Sequence, residues 1–133
     1  MIKQKENNMK YIRKEIYSID KVFTILGNLI YSKEKVMVDF NGDKIKANSQ
    51  RYQVFKNSCA CCKCGLKASF FAKEKDLKSE RFHLNLYGIN ENGEEVLFTK
   101  DHIIPKSKGG ANNISNYQTM CKICNEKKAD ILI

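Results

Sequence analysis

The chain's six cysteines have spacings that suit a metal rather than disulfides. They form three Cys-x-x-Cys pairs, of which the first two overlap: Cys59/Cys62, Cys61/Cys64 and Cys121/Cys124. A two-residue spacer lets both thiolates of a pair face one ion, so an early pair and the late pair together predict a tetrahedral Cys₄ zinc site. Four thiolates leave no open position on the zinc ion, and its predicted role is therefore structural.

Either overlapping pair could supply the early half of this site. We favour Cys61 and Cys64, because Gly65 follows directly and lets the backbone turn with its N–H groups aimed at sulfur. Cys59 and Cys62 would then be spare, with Cys62 as an occasional substitute. The alternative is a set of buried free thiols, and the compact spacing argues against it in a chain whose cysteines stay reduced.

A second group of residues has the chemistry needed to hydrolyse a phosphodiester. The imidazole of His102 can activate water, because histidine titrates near neutral pH. The carboxylate of Asp101 and the amide oxygen of Asn125 suit a hard ion such as Mg²⁺, with water and substrate phosphate completing its shell. Zinc bound at Cys124 would bring Asn125 towards the strand of Asp101. The plainer alternatives are a surface Asp-His pair and an asparagine that only caps a helix.

The stretch KDHIIPKSKGGANNISNYQTMCKICNEKK resembles the HNH nucleases, also called ββα-metal nucleases. The matching positions, in order, are Asp101-His102-Ile103-Ile104-Pro105, Gly109-Gly110, Asn116, Cys121-x-x-Cys124-Asn125 and Lys128. The resemblance is dense over residues 97–128, extends thinly back to Cys61 and does not cover residues 1–58. Several separate motifs agree in order, which makes the resemblance specific.

This resemblance implies a role for each matching residue. It makes His102 the general base, Asp101 one ligand of a catalytic Mg²⁺ or Mn²⁺ ion, and Asn116 the residue that steadies the loop and the histidine. Asn125 stands where many members have their last histidine, although asparagine also occurs there, and it is the second implied ligand. The implied activity is DNA cleavage that leaves a 5′-phosphate and a 3′-hydroxyl. A single such site nicks one strand, so a double-strand break would need a dimer or two successive events.

The implied fold is α+β, with a ββα-metal core stapled by the Cys₄ zinc site over residues 59–133. Residues 1–58 form an N-terminal extension that contains a β-hairpin. Two other functions compete with the nuclease: a catalytically silent, zinc-stabilised DNA-binding module, and a zinc protein that binds another protein. The complete set of Asp101, His102, Asn116 and Asn125 argues against the DNA-binding module, because binding alone does not require it. The basic charge balance and the glycine-lysine loop argue against the protein-binding zinc protein.

The charge balance favours a polyanionic partner. Lysine and arginine number 24 against 15 aspartates and glutamates, a formal net charge of +9. DNA is the simplest partner, although an anionic membrane surface or a merely basic surface would also fit. Lys106, Lys108, Lys127 and Lys128 surround the predicted site and are the expected phosphate contacts.

The sequence predicts no membrane span and no secretory signal. The most apolar stretch, residues 22–31, is too short to cross a bilayer, and the N-terminal residues lack an apolar h-region. We therefore expect an intracellular, cytoplasmic protein, in which clustered cysteines indicate a metal before disulfides.

Two β-hairpins are expected to position these residues. In KVMVDFNGDKIKA, apolar residues alternate and Asn41-Gly42 suits a type I′ turn. In the second, RFHLNLYGI and EVLFTKDHII are joined through Asn92-Gly93. If those two residues form the loop, His83 lies opposite His102. We hypothesise from this register that His83 lies beside the site and helps to bind phosphate or position water, the alternative being an ordinary surface histidine.

Helical structure is expected in up to four stretches, with boundaries accurate to about two to four residues. Residues 1–15 are a helix or a frayed end, and residues 16–30 form a helix with a weak signal. Ser49 can cap a short helix that runs through Val54 and Phe55. The last helix occupies residues 122–132.

Overall fold

The structure, a computed structural model, describes residues 11–132, with side-chain surroundings as far as residue 128. Its strands, in chain order, are β1 (Tyr11–Tyr17), β2 (Met37–Phe40), β3 (Asp43–Lys46), β4 (Ala68–Asp76), β5 (His83–Ile89), β6 (Glu95–His102) and β7 (Tyr117–Cys121). Its helices are α1 (Ile19–Leu26), α2 (Gln50–Asn57) and α3 (Lys122–Leu132), with 3₁₀ turns at Gly27–Tyr31, Lys106–Lys108 and Ile114–Asn116. This mixture confirms the predicted α+β class. Within residues 11–132, no helix is long and apolar enough to cross a bilayer.

One antiparallel sheet, in the order β1-β4-β5-β6-β7, organises the described residues, while β2 and β3 pair only with each other. Apolar residues of α1 and α2 share a core with Phe71, Leu86 and Phe98 of the sheet. Successive side chains of a strand point to opposite faces. Thr99 follows Phe98 and accepts a hydrogen bond from Asn125 of α3, so α3 lies on the face of β6 opposite the core.

The N-terminal prediction needs correction where the structure describes the chain. Residues 11–15 belong to β1, not to a helix or a frayed end, and β1 pairs with β4 at one edge of the sheet. The partners are distant in sequence: Arg13 forms ion pairs with Glu74 of β4 and Glu95 of β6, which the local sequence does not reveal. Residues 1–10 of the same prediction lie outside the described residues. The domain boundary at residue 58 stays a prediction.

The helix expected over residues 16–30 is shorter than predicted. β1 continues to Tyr17, and α1 starts at Ile19, after Ser18 caps it through its side-chain oxygen. Gly27 ends α1 with φ 51°, a left-handed conformation that favours glycine. A 3₁₀ turn then carries the chain on, so the prediction is right about helical structure and wrong about its start.

The hairpin of β2 and β3 has the predicted turn. Phe40 pairs with Asp43, and the two intervening residues have positive φ, 53° at Asn41 and 96° at Gly42. Positive φ at both central residues is what a type I′ turn requires, and asparagine followed by glycine accepts it at low cost.

A buried lysine attaches this hairpin to the large sheet. The ammonium of Lys73, on β4, lies 2.6 Å from Glu15 Oε1, 2.6 Å from Asp43 Oδ2 and 2.6 Å from the carbonyl oxygen of Phe40. Burial disfavours the charge, but the two carboxylates outweigh burial and raise the pKa of Lys73. The position of the hairpin therefore depends on a desolvated ammonium with a complete set of oxygen partners.

The second hairpin is present, but its register differs from the predicted one by a residue. Ile89 pairs with Glu95, so the loop spans five residues, 90–94, rather than two. The Asn90 side-chain oxygen accepts hydrogen bonds from the backbone N–H groups of Asn92 and Glu94, which favours the longer loop.

The premise of the His83 hypothesis is wrong, because His83 does not lie opposite His102; the proposed role of His83 stays a prediction. The β5–β6 ladder runs only as far as Tyr87 and Leu97, beyond which β6 pairs with β7 instead. His83 pairs with Glu74 of β4, whereas His102 pairs with Tyr117. Where the ladder stops, the hydroxyl of Tyr52 on α2 accepts the N–H of Leu84 at 3.1 Å. The helix thus takes over a hydrogen bond that the continuing strand would have made.

The other two helices follow the predictions with small corrections. Ser49 occupies the N-cap position of α2, but its side chain makes no capping hydrogen bond. α3 spans Lys122–Leu132, as predicted. Asn125 therefore lies in the first turn of α3 rather than opening it, which removes the alternative that it is the N-cap.

Candidate functional site

The four cysteines that come together are the predicted ones, Cys61, Cys64, Cys121 and Cys124, whose sulfur atoms all lie within 4.8 Å of one another. Cys121 is the last residue of β7, and Cys124 lies in the first turn of α3. Cys61 and Cys64 lie in the turn between Ala60 and Lys67, which form an isolated bridge. The junction of β7 and α3 is thereby joined to a turn far upstream in the sequence.

The geometry of this cluster fits a zinc ion. Cys64 Sγ and Cys121 Sγ are 3.9 Å apart, and a zinc tetrahedron with bonds of about 2.3 Å has sulfur–sulfur edges of about 3.8 Å. Backbone N–H groups approach the sulfurs within each turn: those of Lys63 and Cys64 approach Cys61 Sγ at 3.4 and 3.5 Å, and that of Cys124 approaches Cys121 Sγ at 3.5 Å. Gly65 has φ 79°, the conformation for which glycine is predicted there.

The ionisation of the thiols is uneven in the protein without metal. Burial disfavours the thiolate of Cys61, but hydrogen bonds from the backbone of Cys121, Cys64 and Lys63 outweigh burial and lower its pKa to about 6. Burial and the neighbouring sulfurs raise the pKa of Cys124 to about 12. The thiol of Cys61 is thus ready to ionise while that of Cys124 resists, and binding of a divalent cation would release the proton of Cys124.

The remaining two cysteines are outside this cluster. The thiol of Cys59 donates to the carbonyl oxygen of Phe55 at 3.1 Å. Cys62 is exposed, and its backbone N–H donates to Thr119 at the edge of β7. Although the residue is exposed, partial desolvation of its thiol, together with the negative charges of Cys61 and Asp101, raises the pKa of Cys62.

Asp101 lies at the end of β6 and is 9% exposed. Its Oδ2 atom accepts a hydrogen bond from Gln118 Nε2 at 3.0 Å and forms an ion pair with Lys128 Nζ at 2.7 Å. Gln118 lies directly opposite Asp101 in the β6–β7 ladder. The carboxylate is therefore held by the neighbouring strand and by α3 at once.

Asn125 approaches the same strand from α3. Its Nδ2 donates to Thr99 Oγ1 at 2.9 Å, while the Thr99 hydroxyl donates to the carbonyl oxygen of Met120 at 2.8 Å. Because the only hydroxyl proton of Thr99 is used on Met120, its oxygen can only accept from Asn125. The amide nitrogen of Asn125 is thereby fixed towards Thr99, and the amide oxygen is the atom left to bind a cation.

His102 is half-buried and oriented by two neighbours. Its Nε2 lies 2.8 Å from Asn112 Oδ1, and the ring meets that of Tyr117 edge-on, with centroids 5.0 Å apart. With Asn112 Oδ1 as the acceptor, Nε2 of His102 carries the proton of this hydrogen bond. This leaves Nδ1 as the proton acceptor of the ring.

Asn116 makes the loop hydrogen bonds that the resemblance implies. Its Oδ1 accepts from the N–H of Ile104, and its Nδ2 donates to the carbonyl oxygens of Ile104 and Ala111, all at 2.9 to 3.0 Å. The loop between these residues is too tight for a side chain at Gly110, where a Cβ would overlap the carbonyl oxygen of Ile104. Asn116 and Gly110 together close the loop that carries Asn112 back to His102.

The four lysines predicted to contact phosphate have different surroundings. Lys106 and Lys108 are exposed in the loop after β6, and Lys127 is exposed on α3. Lys128 is only partly exposed and forms an ion pair with Asp101. The first three are accessible to a polyanion, and Lys128 is already engaged.

Sequence reasoning missed three residues that position the others. Thr99 and Gln118 belong to paired strands, and the pairing of Asp101 with Gln118 follows once β7 is aligned antiparallel to β6. Asn112 has no comparable signal, because it reaches His102 only through the folded loop.

A family comparison agrees with this part of the chain. Residues 90–132 match the family model of HNH endonucleases. The matched stretch contains β6, β7, α3 and the loop of Asn112 and Asn116, and it begins after β5. No curated protein and no solved structure matches the chain significantly.

Proposed function

We propose that this chain, whose residues 90–132 match the HNH endonucleases, is a metal-dependent endonuclease that hydrolyses DNA phosphodiester bonds. What supports this function above all is the position of Asp101 and His102 at the end of β6, with Asn125 of α3 held against Thr99 of the same strand. The match to the family suggests nuclease activity, and the arrangement of these side chains suggests how the activity arises. Residues 59–133 would form the nuclease domain, and residues 1–58 would form an N-terminal extension.

The general base in this proposal is His102 Nδ1. Asn112 Oδ1, 2.8 Å from Nε2, fixes the tautomer that leaves Nδ1 unprotonated. A base so held can take a proton from water as the water oxygen attacks phosphorus, and proton transfer of this kind contributes about 10²–10⁴-fold to rate. Asn116 acts as a positioning residue, because it closes the loop on which Asn112 lies.

Asp101 and Asn125 would hold the catalytic ion through a carboxylate oxygen and an amide oxygen. Both are hard ligands, which suits Mg²⁺ or Mn²⁺. When bound, such an ion neutralises charge on the phosphate and on the leaving 3′-oxygen. Zinc at the four cysteines would serve structure only, by keeping the first turn of α3, and thus Asn125, against β6.

The exposed ammonium groups of Lys106, Lys108 and Lys127 are the proposed contacts to the DNA backbone. They lie on the loop and the helix that flank His102, and the formal net charge of +9 favours association with DNA. Contacts of this kind position the duplex without selecting a sequence.

The test of this function is nicking of supercoiled plasmid by the zinc-loaded protein, with and without Mg²⁺ or Mn²⁺. Conversion to open circles that requires the added ion would support the nuclease.

The competing function, a silent DNA-binding module, is favoured by one observation, the occupation of Asp101 by Lys128. Retarded migration of DNA in a gel, without nicking under any divalent ion, would favour that module.

Replacing Asn112 with alanine should slow nicking by about tenfold, since a residue that only orients a catalytic group typically contributes 10- to 100-fold. Two readouts are needed: the nicking rate, and the ¹⁵N shifts of the His102 ring, which report the tautomer. The tautomer should become mixed in Asn112→Ala. Ser107→Ala, in the same loop and exposed, is the matched control and should change neither. An unchanged tautomer in Asn112→Ala would refute the orienting role.

A further inference from the structure

Lys128 occupies the position that a cation would take at Asp101. Its ammonium lies 2.7 Å from Asp101 Oδ2 and 2.7 Å from the backbone carbonyl oxygen of His102. A carboxylate oxygen and a carbonyl oxygen on one cation are the hard-ligand pair that divalent ions also prefer. The ammonium thus uses one of the oxygens proposed to hold the catalytic ion.

The helix explains why Lys128, and not its neighbour, reaches this place. Lys128 follows Asn125 by three residues, and residues three apart lie on one face of a helix. Asn125 donates to Thr99, and Lys128 contacts Asp101, two residues further along the same face of β6. Lys127 points elsewhere and is exposed. Asn125 and Lys128 therefore follow the strand side by side.

We propose that Lys128 is an internal counter-cation that competes with the divalent ion for Asp101. An ammonium and a divalent ion repel each other strongly at the separation that a shared carboxylate oxygen would impose. Binding of the ion therefore displaces Lys128. The inference rests on the proposed function, because it takes Asp101 as a ligand of the catalytic ion.

Displacement has a second consequence for the substrate. The released ammonium remains tethered beside the ion, where a backbone phosphate would be the anion available to it. DNA and the divalent ion would both favour the displaced state of Lys128. Binding of either one should therefore raise the affinity of the protein for the other. Lys128 would couple the binding of metal to the binding of DNA and disfavour metal binding in the absence of DNA.

The decisive experiment is a titration of Mn²⁺ into the full, zinc-loaded chain without DNA, with free Mn²⁺ measured by electron paramagnetic resonance. Lys128→Gln should lower the Kd for Mn²⁺ at least fivefold, because the competing charge is gone. Lys128→Arg keeps the charge and should remain within twofold of wild type. The matched control, Lys127→Gln, removes the same charge one residue away and should also remain within twofold. Asp101→Asn should abolish this binding.

A second titration tests the coupling. A short duplex with non-hydrolysable phosphorothioate linkages should lower the Kd of wild type for Mn²⁺ severalfold, and that of Lys128→Gln by a smaller factor. Equal Kd values for wild type and Lys128→Gln without DNA, with binding still dependent on Asp101, would overturn the competition and leave the proposed nuclease intact. Absence of Asp101-dependent Mn²⁺ binding in every variant would overturn both. Tighter binding by Lys128→Gln in a protein that never nicks DNA would support the competition and count against the nuclease.

Discussion

Replacing His102 with alanine is expected to slow Mg²⁺-dependent nicking of supercoiled plasmid by about 10²–10⁴-fold, the range attributed to general bases. The substitution removes Nδ1, the proton acceptor that Asn112 leaves available, while the ion and the phosphate contacts remain. DNA binding should therefore be retained. The measurement is the initial rate of open-circle formation, together with the zinc content of both proteins.

His83→Ala is the matched control for that experiment. His83 is the chain's other histidine, it is on β5, and it pairs with Glu74 rather than facing His102. Nicking at the wild-type rate in His83→Ala, with loss of nicking in His102→Ala, would assign the base to one position. Nicking that persists in His102→Ala would mean a contaminating nuclease or a different base, and the mechanism proposed here would be wrong.

Replacing Cys61 with serine should remove stoichiometric zinc and lower the free energy of unfolding by about 4 kcal/mol or more, the range in which loss of a metal site lies. Structural zinc binds small domains with about 10–16 kcal/mol at neutral pH, comparable to the whole stability of a domain, about 5–15 kcal/mol. Cys61 is also the thiol whose pKa is lowered to about 6, so it supplies the readiest thiolate. The measurements are bound zinc per chain and denaturant unfolding.

Cys62→Ser provides the contrast within the same turn. Cys62 is exposed and outside the sulfur cluster, so its replacement should change stability by less than about 0.5 kcal/mol and leave zinc bound. If Cys62→Ser loses zinc and Cys61→Ser keeps it, the pairs have been assigned the wrong way round. Adding a zinc chelator to the wild-type protein should destabilise it to the same extent as Cys61→Ser.

Parts of the fold and of the site that depend on short spacings are predictable from sequence. The Cys-x-x-Cys spacer and Gly65 indicate which sulfurs meet, because the turn between them is local. Asn41-Gly42 identifies its turn for the same reason. The hydrogen bonds of Asn116 follow from its place in the family motif.

Parts that depend on distant partners are not predictable in this way. The composition of residues 90–94 favours a two-residue turn at Asn92-Gly93. The Asn90 side chain instead accepts hydrogen bonds from two backbone N–H groups, and the loop is five residues long. His83 and His102 do not face each other, because β6 stops pairing with β5 after Leu97 and pairs with β7 instead. β1 pairs with β4, and Arg13 of β1 forms ion pairs with carboxylates on β4 and β6; no local pattern indicates these distant partners. The ion pair of Lys128 with Asp101 similarly requires the starting point of α3 to be known.

The cluster of four cysteines also has a consequence for the order of assembly during translation. Cys64 and Cys121 are 57 residues apart, and closing a loop of that length costs about 4 kcal/mol of chain entropy in simple loop models. During translation the pair Cys61 and Cys64 is made first. This pair would be only half of the site while β4, β5 and β6 are synthesised. Only after α3 begins can the ion join the halves and hold Asn125 against β6. Under the proposed function, zinc binding would therefore precede DNA cleavage in each newly made chain.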